Sequence, residues 1–235
     1  TCVHGAACQA VRVNRPMDTD AVLELVREVV AEHVTPHFGA LERDDVSSKR
    51  RPGDLVTVAD REAEAALSAA LGAAHPGALV VGEEAVSSDP TLLCGLSTAE
   101  HAFVVDPVDG TRHFVAGSPD HATMLAELRH GRTVRSWIWQ PQHSRAYVAE
   151  HGAGAWADGV RIEPATDPRT LRPTGTCCGV DYPRLAVGQA GWAAYVKKKP
   201  WDHLPGGLLL AEAGGRVVRR AGVLLALSPS ASRRA

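Results

Sequence analysis

Asp106 and Asp109 stand three residues apart in Val104-Val-Asp-Pro-Val-Asp-Gly-Thr111, directly after the apolar run Ala102-Phe-Val-Val105. The run reads as a buried strand that stops at Asp106-Pro107, because proline removes a ladder donor and fixes the turn. On such a turn both carboxylates can point into one space, with the Val108 carbonyl between them as a third oxygen. Gly110 and Thr111 follow with backbone N–H groups at the start of a helix. Hard-cation ligands beside an anion cradle suit a divalent metal and a phosphate group. Asp, Pro and Gly are also ordinary turn residues, so this stretch alone reads equally well as a solvated turn. Three further acidic positions shift the balance. Asp60 follows Leu55-Val-Thr-Val-Ala59, Glu83-Glu84 follows Ala78-Leu-Val-Val-Gly82, and Trp201-Asp202 precedes an apolar helix ending at Gly214-Gly215. Carboxylates gathered at the ends of apolar segments, with no matching Lys or Arg beside them, repel one another unless cations sit among them.

The elements that must hold these residues can be read from periodicity. Val22, Leu25, Val26, Val29, Val30 and Val34 keep helical spacing from Asp20 to Val34, and Pro36 ends the run. Lys49 to Asp54 is a basic, turn-rich loop leading into the strand Leu55–Ala59. Asp60 then caps a second helix with a stripe of Ala63, Ala66, Leu67, Ala70 and Leu71, with Glu62 and Glu64 in its first turn and Gly72 and Pro76-Gly77 at its end. Leu79-Val-Val81 is a short strand delivering Gly82-Glu-Glu84, and residues 86–99 read as a surface loop. Ala122–Leu128, Thr133–Trp139 and Arg145–Ala149 read as antiparallel strands, with turns at His130-Gly131 and Pro141-Gln142.

Composition narrows the function classes. A chain of 235 residues can bury a large core. A net charge of −2 offers no basic field for nucleic acid, and no apolar run reaches membrane-spanning length. Five cysteines without a Cys-x-x-Cys pair suggest neither a disulfide framework nor zinc, which favours a reduced cytoplasm. Histidines 101, 113, 121, 130, 143 and 151 form no metal-spaced helical pair, so they and Cys177-Cys178 read as surface or packing residues. Gly152-x-Gly154 lies between short strands and opens no helix, so it is not a dinucleotide motif. No Gly-x-Ser-x-Gly elbow is present. Residues 1–16 show no periodicity and read as a disordered leader, with Met17 as the natural start.

Asp106-Pro-Val-Asp-Gly-Thr111, Gly82-Glu-Glu84, Leu55-Val-Thr-Val-Ala-Asp60, and Trp201-Asp202 with Glu212-Ala-Gly-Gly215 occur in order at plausible spacing. From about Leu41 to Gly215 the chain resembles the inositol monophosphatase family of magnesium-dependent, lithium-sensitive phosphatases. The resemblance implies an α+β fold, a layered α-β-α-β-α sandwich, with an N-terminal region at 17–164 and a shortened C-terminal α/β region at 165–235. It implies Mg²⁺ held by Glu83, Asp106, the Val108 carbonyl, Asp109 and Asp202, with Glu84 behind them. Thr111 with Asp60 would orient and deprotonate the attacking water, and Gly110 and Thr111 N–H groups would hold phosphate oxygens, with no covalent enzyme intermediate. Lys49, eleven residues before Asp60, takes the place of a family lysine that lies near the metals.

The substrate implied is a small phosphate monoester, inositol monophosphate or a related sugar or alcohol phosphate, and the assembly a homodimer without nucleic acid or membrane. Departures keep alternatives open. His113 replaces a usual asparagine, and Tyr195 stands seven residues before Asp202, where inositol-specific members carry a sugar-binding glutamate. Histidinol phosphate and nucleotide 3′-phosphates are handled by relatives. A strand and helix usual between Ile162 and Pro173 are missing, which leaves a catalytically weak homologue acting by binding as the competing reading. That gap predicts uncovered apolar side chains at Trp192, Leu209 and Leu225.

Overall fold

The computed structural model describes residues 16–48, 55–164, 172–196 and 199–233. The leader expected at 1–16, except Pro16, and the Lys49 position lie outside these residues. Helix α1 (Thr19–His33) begins where the Asp18 side chain accepts from the Ala21 N–H at 2.9 Å, and it turns Val22, Val26, Val29 and Val30 inward. Strands β1 (Val46–Ser48) and β2 (Leu55–Thr57) form an antiparallel ribbon. The helix after it starts earlier than the sequence suggests. Val58 and Ala59 are already helical, so α2 spans Val58–Ala74, continuing through Gly72. Its cap is Thr57, not Asp60. Asp60 is the third residue of a capping box in which its carboxylate accepts from the Thr57 N–H at 2.8 Å.

Seven strands follow in one sheet, in sequence order: β3 (Leu79–Gly82), β4 (His101–Asp109), β5 (Ala122–Arg129), β6 (Arg132–Gln140), β7 (Arg145–Glu150), β8 (Gly154–Ala157) and β9 (Val160–Arg161). β3 runs parallel to β4, and every later pairing is antiparallel. His130 and Gly131, with φ of 50° and 73°, make the two-residue turn that joins β5 to β6. The stretch expected as a loop at 86–99 carries α3 (Glu83–Ser88) and a 3₁₀ segment from Pro90 to Gly95. The 3₁₀ segment is capped by Asp89, whose carboxylate accepts from the Thr91 N–H at 3.0 Å.

The expected end of the central strand is also displaced. β4 does not stop at Asp106-Pro107 but runs on to Asp109, with a bulge between. Asp106 pairs with Met124 and Asp109 with Ala122, three steps on β4 against two on β5. Pro107 sits in the bulge, where no ladder donor is needed, and its carbonyl accepts from Thr123 Oγ1 at 2.7 Å. In a regular strand, residues three apart point to opposite faces. The extra residue restores the parity, so Asp106 and Asp109 open into the same cavity.

Short helix α4 (Thr111–Val115) follows the bulge, and the chain after β9 adds α5 (Cys178–Ala186), β10 (Trp192–Tyr195), α6 (Pro200–Glu212), β11 (Arg216–Arg220), β12 (Val223–Leu227) and α7 (Pro229–Ser232). β12 lies between β10 and β11 in a second, antiparallel sheet. Pro205 lies inside α6, where the helix forgoes one backbone bond.

The architecture is an α+β layered sandwich. α1 and α2 bury Val26, Val30, Ala63 and Leu67 against Phe103, Val105, Leu125 and Trp137 on one face of the large sheet. On the other face α5 and α6 bury Tyr182, Leu185, Leu209 and Leu210 against Met124, Ile138 and Ala149, with the three-stranded sheet beyond them. Burying a side chain such as Leu67 stabilises by roughly 1.5–3 kcal/mol. Because helices cover both faces, β4 is buried along its length without alternation. Leu209, expected to lose its cover, is wholly buried; Leu225 is partly buried, and Trp192 keeps 40% of its surface exposed. No described helix is long and apolar enough to cross a membrane.

Candidate active site

Three elements deliver four carboxylates to one cavity of about 690 Å³. Glu83 is the first residue of α3, Asp106 and Asp109 flank the bulge of β4, and Asp202 is in the first turn of α6. Glu83, Asp106 and Asp202 each place a carboxylate oxygen within 4.8 Å of the others. Val108, Gly110, Thr111 and Tyr195 line the same cavity. Asp60 adjoins it, with Oδ1 3.4 Å from Thr111 Oγ1; the same hydroxyl lies 3.0 Å from the Val108 carbonyl. Gly110 takes φ of 83°, and a Cβ there would come within 3.0 Å of Cys177 Sγ, so glycine is required at that corner.

Glu84 and Glu64 meet beside the cluster. Glu84 lines an adjacent groove with Ser47, Arg61 and Glu64, while its backbone N–H is bound to Glu64 at 2.7 Å. Glu64, read from the sequence only as an acidic residue in the first turn of its helix, is buried and caps α3 through the Glu84 and Ala85 N–H groups, both at 2.7 Å. Gly82 makes room for it, since a Cβ there would lie 2.1 Å from Glu64 Cδ. Glu64 thereby aims Glu83 at the cavity. It carries no motif of its own; the only hint is its spacing one helical turn after Asp60.

The electrostatics of the cluster explain what it is built to hold. Burial drives Asp106 well above the usual carboxylate range, and the charges of Glu83, Asp109, Asp202 and Asp60 push the same way. Its Oδ1 is buried without a hydrogen-bond partner. Asp109 is pushed up to about 6 by burial, opposed in part by the Gly179 N–H, which donates to Oδ2 at 2.5 Å. Gathering such groups costs free energy that a cation offsets, and all the donors are hard oxygens, so the residues fit a divalent metal of the Mg²⁺ or Ca²⁺ type.

The expectation that no cation stands beside these carboxylates is corrected by Lys199, whose Nζ donates to Glu83 Oε1 at 2.7 Å. Its place directly before Pro200-Trp-Asp202 was the available signal. Cys177, Cys178 and His203 also line the cavity, with Cys178 buried and Cys177 half-buried. Burial pushes both thiols well up, the nearby Asp109 adding to it. His113 lines the cavity mouth as well. Tyr195 donates to Asp181 Oδ2 at 3.3 Å, which turns its ring, rather than a carboxylate, toward the space.

Comparison with known proteins agrees with this geometry. The inositol monophosphatase family model matches residues 16–181. An inositol-1-monophosphatase of Mesorhizobium japonicum is 34% identical over 156 residues, covering 66% of this chain and 54% of that protein, so the match spans about half of that relative's length. The Nus factor SuhB of Pseudomonas aeruginosa is 30% identical over 219 residues, covering 77% of this chain and 78% of that protein. Among solved structures, the IMPase of Thermotoga maritima superposes with a TM-score of 0.78 at 21% identity, covering 92% of this chain and 93% of that one. An IMPase/NADP phosphatase complexed with NADP and Ca²⁺ gives a TM-score of 0.79 at 19% identity, covering 92% of each chain.

Proposed function

The chain belongs to the inositol monophosphatase family, and from that premise we propose that it is a Mg²⁺-dependent phosphatase that hydrolyses a small phosphate monoester by attack of water. The observation that carries this reading is the convergence of Glu83, Asp106 and Asp202 around a buried, unpartnered Asp106 Oδ1. Glu83, Asp106, the Val108 carbonyl, Asp109 and Asp202 would hold the metal. Bound Mg²⁺ neutralises phosphate oxygens and lowers the pKa of water. The protein's own groups then do the positioning. Thr111 Oγ1 and Asp60 Oδ1, 3.4 Å apart, form the relay that orients the water and takes its proton. Asp60 is fixed for this by two contacts to Thr57, from N–H at 2.8 Å and from Oγ1 at 2.5 Å. Gly110 and Thr111 N–H groups hold phosphate oxygens, and Glu84 supports the cluster from the neighbouring groove.

Inositol monophosphate or a related sugar or alcohol phosphate is the substrate class, and Tyr195 in place of a carboxylate favours loose selectivity among polyols. Lithium inhibits, and the protein is a homodimer in the cytoplasm. Measuring kcat/KM for phosphate release from inositol 1-phosphate, glycerol phosphate, histidinol phosphate and a nucleotide 3′-phosphate tests the assignment. A spread of less than tenfold across the panel supports loose polyol selectivity, and strong preference for histidinol phosphate or the nucleotide moves the substrate class. The name Nus factor SuhB on one relative favours a second reading, a binding homologue with little turnover. Absence of hydrolysis of every monoester at saturating Mg²⁺ would establish that second reading over the first.

A further inference from the structure

The carboxylate cluster is bordered by a second donor set of different chemistry. Cys178 opens α5 and His203 follows Asp202 in α6, and these two helices pack against each other. Cys178 Sγ lies 3.9 Å from His203 Nδ1. The sulfur, a ring nitrogen of His203 and a carboxylate oxygen of Asp202 all lie within 4.8 Å of one another. Cys178 and His203 are 7% and 9% exposed, and both face the active-site cavity. We propose that Cys178, His203 and Asp202 form a second cation site, taking a thiophilic divalent ion of the Zn²⁺ class and sharing Asp202 with the carboxylate cluster.

Geometry and donor type both point this way. Metal–sulfur and metal–nitrogen bonds of about 2.3 and 2.0 Å in a tetrahedron separate sulfur from nitrogen by about 3.5 Å. The observed 3.9 Å needs a shift of only a few tenths of an ångström. The Tyr182 hydroxyl lies 3.1 Å from the same His203 Nδ1, so it holds the ring in place before an ion binds. On binding, the ion takes the place of that contact and the thiol proton passes to solvent. A set of sulfur, nitrogen and one oxygen prefers a softer ion than the all-oxygen set of Glu83, Asp106 and Asp202. Only Asp202 belongs to both, so an ion in the second site draws on a ligand of the first. Binding itself does not depend on the phosphatase reading; its consequence, inhibition of Mg²⁺-dependent turnover by low Zn²⁺, rests on that reading.

The test uses Co²⁺ as a spectroscopic probe, titrated into the full chain held in excess Mg²⁺. A near-ultraviolet thiolate-to-cobalt charge-transfer band should appear at one equivalent and vanish on adding Zn²⁺. Cys178→Ser should abolish the band, His203→Asn should weaken Co²⁺ binding at least tenfold, and Cys177→Ser should leave the band in place. If Cys178→Ser does not fold, the wild-type and His203→Asn titrations decide. No band in the wild type, or a band that survives Cys178→Ser, overturns the proposal. Mg²⁺-dependent phosphate release without a cobalt band defeats this site alone. A cobalt band without phosphate release defeats only the phosphatase reading.

Discussion

At the scale of single residues, the site is built on buried carboxylates whose mutual repulsion a bound cation would offset. Asp109 is the sharpest case, because its Oδ2 is held by the Gly179 N–H at 2.5 Å while its environment favours the neutral acid. Asp109→Asn keeps the shape and removes the charge. Loss of a preorganised electrostatic element commonly costs about 10³-fold in rate, so kcat for phosphate release should fall by at least about that factor. A fall of less than tenfold would place the chemistry elsewhere. The types and order of these residues were legible in the sequence, since Asp-Pro-Val-Asp-Gly-Thr and Trp-Asp carry their chemistry in adjacent letters. Lys199, Glu64 and the two cysteines were not, because their roles come from neighbours far along the chain. Lys199 meets Glu83 across 116 residues, and Glu64 meets Glu84 across 20.

At the scale of elements, two local devices place the site, and the sequence showed each imperfectly. The bulge in β4 sets the facing of Asp106 and Asp109, and Pro107 signalled a break in pairing without distinguishing a strand end from a bulge. The capping box of α2 sets Asp60, and both Thr57 and Asp60 are good cap residues, so composition alone could not decide which one ends the strand. Replacing Thr57 by Ala removes the cap and one of the two hydrogen bonds that orient Asp60. The expected result is a stability loss of about 1 kcal/mol, read from denaturant midpoints. A drop in kcat should accompany it, with both restored by Thr57→Ser. Unchanged kcat in Thr57→Ala would detach Asp60 from the reaction.

At the scale of the whole molecule, the site joins the two sheets, since α6 brings Asp202 from between them to the end of β4. Metal binding and global stability are therefore linked through pH. Asp106 and Asp109 have folded-state pKa values above those of free carboxylates, so the metal-free fold binds protons more tightly than the unfolded chain. Their contribution favours the fold at low pH and is lost as pH rises through about 6, where the carboxylates ionise and repel. Mg²⁺ bound as proposed would act in the opposite sense, since a cation binds the ionised forms. The rise in Tm produced by saturating Mg²⁺ should be large at about pH 8 and nearly absent at about pH 5. An increment independent of pH would separate the metal from these carboxylates. The antiparallel strands were legible from periodicity and turn residues and the layered arrangement from the family resemblance, whereas the cover of Leu209 was not legible, because it comes from the packing of α5 and α6 rather than from the missing segment. The central claim is that these converging carboxylates serve metal-dependent hydrolysis of a phosphate monoester, and it is tested most directly by phosphate release from inositol 1-phosphate under EDTA followed by Mg²⁺ restoration. Release should stop in EDTA and return with excess Mg²⁺, and undiminished turnover in EDTA would contradict metal-dependent hydrolysis at these carboxylates.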